Sequence, residues 1–202
     1  MSRANNYTFS CPCGQTFESQ IYEYVNTEQD PRLQYTILAG LFNTPTCPNC
    51  GRRAALSNPF IYSDPEHSLL AYVHPATELP EEAKDVILEE LRATYMNIEE
   101  KRVRQGRVDE MPQLQIVFGI DHLIELINAH LGPDERLGKL ALSTQSRSEA
   151  ERGRLLDIAR KLASEMQCLV DVEDYSDEYT VWLYGSRRHI GALMRELAPR
   201  GM

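Results

Sequence analysis

The chain predicts an α+β fold in two units. The expected parts are an N-terminal four-cysteine ribbon with a β-hairpin extension, a helical middle region, and a small αββα C-terminal unit. Three observations carry this. Four of the five cysteines fall into two tight pairs, Cys11-Pro12-Cys13-Gly14 and Cys47-Pro48-Asn49-Cys50-Gly51. Apolar positions alternate around those pairs, and helical periodicity takes over from about residue 81. A polar stretch at residues 143–148 separates the tail, so the expected units are 1–142 and 143–202.

From residue 7 to residue 26 the chain reads as extended, with Phe17, Ile21 and Val25 set among polar positions as in a half-buried strand. Asp30-Pro31 predicts a short helix, Asp as N-cap and Pro at the first helical position, with Leu33, Ile37 and Leu38 on one face and Gly40 near the stop. Residues 53–62 and 68–74 read as strands around the turn Asp64-Pro65-Glu66-His67, with Leu69, Ala71 and Val73 on one side. Pro75 and Pro80 bracket a linker. A long helix is expected from Glu81 to near Gly106, its stripe being Val86, Ile87, Leu91 and Tyr95. Residues 107–119 read as a loop plus a short strand, Leu114 to Phe118.

Asp121 is expected to cap a helix carrying Leu123, Leu126, Ile127 and Leu131, ended by Gly132-Pro133. A shorter helix over 134–142 carries Leu137, Leu140 and Ala141. Ser148-Glu149-Ala150-Glu151 has the form of a capping box, opening a helix with Leu155, Ile158, Leu162 and Met166. Two strands follow, 168–172 and 179–184, and then a helix with Ile190, Leu193, Met194 and Leu197. Trp182 and Tyr184 share a face with Thr180 and are expected to pack on that last helix. Two strands alone make a marginal sheet. The tail is therefore expected to pair with another sheet, in this chain or in a second copy.

No apolar run approaches the ~18–20 residues of a membrane helix, so no membrane partner is expected. The first residues lack the apolar core of a secretion signal, which makes the cytoplasm the expected compartment. The formal net charge of −9 disfavours a generic nucleic-acid coat, because phosphate binding needs clustered cations. Local basic positions remain candidates for nucleic-acid or partner contact: Arg52 and Arg53, and Arg102 and Arg104 within a looser cluster.

In a reducing compartment, paired cysteines bind metal or do redox work more often than they form structural disulfides. Cys11, Cys13, Cys47 and Cys50 read first as a structural Zn²⁺ site, closed because no His, Asp or Glu stands in the motif to leave an open position. A redox dithiol at Cys47 and Cys50, iron–sulfur ligation, and a site that holds no metal are the alternatives. The first pair is one residue shorter than the usual knuckle, so its turn must be tighter.

The cysteine pairs, the Asp30-Pro31 helix between them, the stretch Pro59-Phe60-Ile61-Tyr62-Ser63-Asp64, and the segments 116–125 and 132–136 together resemble the CpXC domain family over about residues 8–142. That is a bacterial and archaeal group named for its Cys-Pro-x-Cys motifs. The resemblance implies that the four cysteines are zinc ligands in a zinc-ribbon-like domain, and it implies no activity. Residues 143–202 lie beyond it.

No P-loop, dinucleotide fingerprint or nucleophile elbow is present, and the five histidines show neither metal nor triad spacing. The expected role is therefore a non-enzymatic, zinc-binding module that meets a protein partner or forms a homo-oligomer. A nucleic-acid-associated or transcription-related factor and a thiol redox protein are the alternatives.

Overall fold

A computed structural model describes residues 2–75, 80–104, 112–175 and 178–197; of residues 94, 95 and 97–104 it describes only the backbone. The fold is mixed α+β, with five helices and two sheets among the described residues.

The chain enters as a long hairpin, β1 (Arg3–Ser10) against β2 (Thr16–Asn26). Helix α1 (Pro31–Leu38) and the second cysteine pair follow, before β3 (Phe60–Asp64) and β4 (Leu69–His74) form a second hairpin. Helix α2 (Glu81–Arg104) leads to β5 (Leu114–Phe118) and then to α3 (Ile120–His130). These five strands form one sheet in sequence order. The pairs β2–β3 and β4–β5 are parallel, and such pairs need a crossover. The first crossover holds α1 and the second cysteine pair; the second holds α2.

Apolar residues of this sheet, α1 and α3 make one core, in which Val25, Ile37, Tyr62, Leu69, Val73, Leu123 and Ile127 are almost wholly out of water. Asn43, in the left-handed region at φ 49°, fastens the hairpin base to the core. Its side chain accepts from the Tyr22 N–H at 2.8 Å and donates to the Tyr22 carbonyl at 3.0 Å. The outer half of the hairpin buries little, since β1 is exposed at most positions and β2 is first fully buried at Ile21.

A second sheet has the order β6-β8-β7, from β6 (Leu137–Thr144), β7 (Leu169–Asp174) and β8 (Tyr179–Ser186). Helices α4 (Glu149–Met166) and α5 (Arg187–Leu197) cover one face, burying Ala159, Ala163, Val181, Leu183, Ile190 and Leu193 in a separate core.

Residues 137–144 are a strand rather than part of a helix. Leu137, Leu140 and Ala141 fit a helical period over so short a window, but full pairing with β8 selects the alternation that turns Leu140 and Leu142 to the helices. The third strand of the tail's sheet thus comes from this chain, and it runs across residue 142. Helix α3 begins at Ile120 with Gly119 as N-cap, so Asp121 lies in the first turn. Ser148 and Asp30 do hold N-cap positions, but neither side chain makes a capping hydrogen bond.

Val86 and Ile158 are exposed, although the helical stripes included them. Trp182 and Tyr184 lie on the sheet face opposite the one α5 covers, where Val181 and Leu183 sit. Residues 76–79 of the expected linker, the helix end near Gly106 and the loop at 107–111 fall outside the described residues.

Candidate metal centre

Each cysteine pair sits in a turn that the sequence prescribes. The first is the tip of the β1–β2 hairpin, closed by the Cys11 N–H donating to the Gln15 carbonyl and the Gly14 N–H donating to the Cys11 carbonyl. The second is closed by the Cys47 N–H donating to the Arg52 carbonyl and the Gly51 N–H to the Cys47 carbonyl. Gly14 at φ 88° and Gly51 at φ 68° occupy the left-handed region that ends both turns.

The turns bring four sulfurs together. Cys11 Sγ lies 3.5 Å from Cys50 Sγ, and Cys13 Sγ lies 3.7 Å from Cys47 Sγ. All four lie within 4.8 Å of one another, and they are the one group of three or more His, Cys, Asp or Glu found among the described residues that could hold a metal ion. All four are free thiols, so no disulfide accounts for the cluster. A tetrahedral ion with metal–sulfur bonds of ~2.3 Å sets its ligands about 3.8 Å apart, close to the 3.5 Å and 3.7 Å separations across the two turns. The shortened first pair therefore still presents both sulfurs to one point. Cys47 is buried while Cys13 and Cys50 are exposed, so the cluster is anchored from one side and open to solvent on the other.

Local donors bias the thiols. The Gln15 backbone N–H, with the Asn49 side-chain amide 3.6 Å from Cys13 Sγ, lowers the Cys13 thiol to about 6. The Cys13 backbone N–H favours the Cys11 thiolate, but loss of water and the three neighbouring thiols outweigh it and push Cys11 up to about 12. Metal coordination would require all four as thiolates.

Arg52 is exposed beside the second turn. Arg53 is not free for a phosphate. Its Nη2 donates to Asp171 Oδ1 at 2.6 Å and to the Val172 carbonyl at 3.2 Å, tying the cysteine loop to β7. Arg102 and Arg104 lie on α2, and their side chains fall outside the described residues.

A second polar cluster joins residues that no single sequence motif connects. His67 Nδ1 lies 2.9 Å from Oδ2 of the buried Asp64, its Nε2 lies 3.5 Å from Glu135 Oε1, and the Tyr62 hydroxyl donates to Asp64. Burial acts to lower the His67 pKa, but the Asp64 carboxylate and then Glu135 more than reverse this and raise it. The i,i+3 spacing of Asp64 and His67 in a turn was a usable signal; Glu135 gave none.

A family model described as CpXC protein matches residues 9–137, well over half of the chain. The match spans both cysteine pairs and stops where β6 begins. No curated protein and no solved structure matches the chain.

Proposed function

The chain belongs to the CpXC family, and from that premise we propose that its four cysteines form a structural zinc centre in a ribbon-like domain that serves protein interaction rather than catalysis. The observation that carries the metal reading is the gathering of four sulfurs, two per turn, with no nitrogen or oxygen ligand among them. An all-thiolate set suits zinc and leaves no position for water or substrate, so the ion's part is to hold the fold. The hairpin tip needs such a staple because its outer half buries little apolar surface. Metal binding of this kind contributes ~10–16 kcal/mol in small zinc modules.

The interaction reading rests on the tail, a small αββα-like unit completed by β6. There Leu140, Leu142, Leu155, Ile158 and Met194 line an apolar groove of about 580 Å³ along the free edge of β6. Ile158 and Met194 are 42% and 54% exposed, which favours a protein surface as the occupant. A second copy is not needed to complete the tail's sheet, since β6 supplies a third strand within the chain. A nucleic-acid role loses Arg53, which is engaged by Asp171.

Purified protein should contain one zinc per chain, and Cys47→Ser should unfold the first unit. A full-length chain that lacks zinc and folds unchanged as the Ser variant would overturn the metal reading. Capture from native lysate by wild type, lost in an Ile158→Ser/Met194→Ser variant, tests the interaction surface.

A further inference from the structure

A cleft of about 700 Å³ lies where the two units meet, between the first turns of α1 and the last turns of α4. It is separate from the metal centre and from the apolar groove. Arg32 on α1 and Arg160 on α4 both line it, one from each wall, against a single carboxylate, Asp30. The local balance is therefore positive in a chain of net charge −9. Arg53, which joins the cysteine loop to β7, is by contrast committed to Asp171. Arg32 and Arg160 make no ion pair or side-chain hydrogen bond with another described residue. Leu33, Leu169 and Val170 add apolar surface to the same lining.

We propose that this cleft binds a small organic anion: an apolar body carrying a carboxylate, phosphate or sulfonate group. Guanidinium groups recognise such oxyanions through paired, charge-assisted hydrogen bonds. The leucine and valine surface takes the body, and the volume lies in the range of small-molecule sites, which favour junctions between domains. Helix α1 starts at Pro31, which has no N–H to offer at the first position, so the two side chains supply the positive charge.

Two fluorescent probes separate the parts of this claim. Anilinonaphthalene sulfonate has the apolar body and the anion; N-phenylnaphthylamine has the body alone. The full-length, metal-replete protein should bind the sulfonate, and Arg32→Gln with Arg160→Gln should weaken that binding at least about tenfold, the loss of two charge-assisted contacts. Binding of the uncharged probe should change less than about twofold in the same variant. An Ile158→Ser/Met194→Ser variant should leave the sulfonate affinity as it was. Both arginines are exposed, so the fold should survive; if the double variant melts early, Arg160→Gln alone carries the comparison. Undiminished sulfonate binding without the guanidinium groups, loss of it in the groove variant, or no binding by wild type would each overturn the assignment.

Discussion

Replacing Arg53 by Gln should loosen the tail from the cysteine loop by about 2 kcal/mol, and only while the metal is in place. The magnitude follows from two contacts. The guanidinium lies 2.6 Å from Asp171 Oδ1 and 3.2 Å from the Val172 carbonyl, and the two charged side chains are 29% and 18% exposed. Fully exposed pairs contribute about 0–1 kcal/mol, while bonds to charged groups away from water contribute about 1.5–3. This pair falls between those limits, and the variant leaves the Asp171 carboxylate without its cation. The dependence on metal follows from the backbone. The Cys47 N–H donates to the Arg52 carbonyl, and Thr46 bridges to Arg53, so the turn that presents the sulfurs also aims Arg53.

Trp182 is the chain's single tryptophan and stands opposite Asp171 in the β7–β8 register, which makes it a direct reporter. Urea unfolding followed by Trp182 fluorescence, for wild type, Arg53→Gln, Asp171→Asn and the double variant, measures the coupling. It should be about 1–2 kcal/mol in metal-replete protein and fall near zero after chelation. Additive single variants would refute the contact's contribution, and a coupling indifferent to metal would refute the link to the cysteine turn.

Three further outcomes are expected. Because the folded His67 pKa is raised, its contribution is fully present below the unfolded value of ~6.5 and is lost as pH rises through the folded one. His67→Gln should therefore cost about 1 kcal/mol at pH 6 and less at pH 8.5, read from denaturant midpoints; an equal cost at both pH values would contradict this. In thiol titration after chelation, Cys13 should react first of the four at neutral pH because its thiol is lowered to about 6, and Cys11, pushed up to about 12, last. Cys168, 2% exposed and pushed by burial up to about 11, should stay slow, and its prompt reaction would count against the second core as described. Gly185→Ala should destabilise by about 1–3 kcal/mol, since an added Cβ would meet Cys168 Sγ at 2.7 Å. Adding Cys168→Ala should recover part of that loss in melting experiments, and no recovery would place the strain elsewhere.

What the sequence made legible was local. The cysteine turns, the Pro31 start of α1 and the alternation Leu69, Ala71, Val73 are decided by neighbours within a few residues, and the structure keeps them. The pairing of sulfurs across the two turns, Cys11 with Cys50 and Cys13 with Cys47, needed the crossover that carries the second pair back to the hairpin tip. β6 is ambiguous in sequence because eight residues containing Leu137, Leu140 and Ala141 satisfy two periods, and only β8 decides between them. Arg53 and Asp171 are 118 residues apart, and no local pattern joins them. The face that Trp182 and Tyr184 occupy is not written in the strand, because alternation tells which residues share a side, not which side the helices cover.

On the proposed reading, one ion is held by Cys11, Cys13, Cys47 and Cys50 and by nothing else. X-ray absorption at the zinc edge of purified protein tests it most directly. The expected shell is four sulfurs at ~2.3 Å with no lighter scatterer. A shell with nitrogen or oxygen at ~2.0–2.1 Å, or with fewer than four sulfurs, would contradict it.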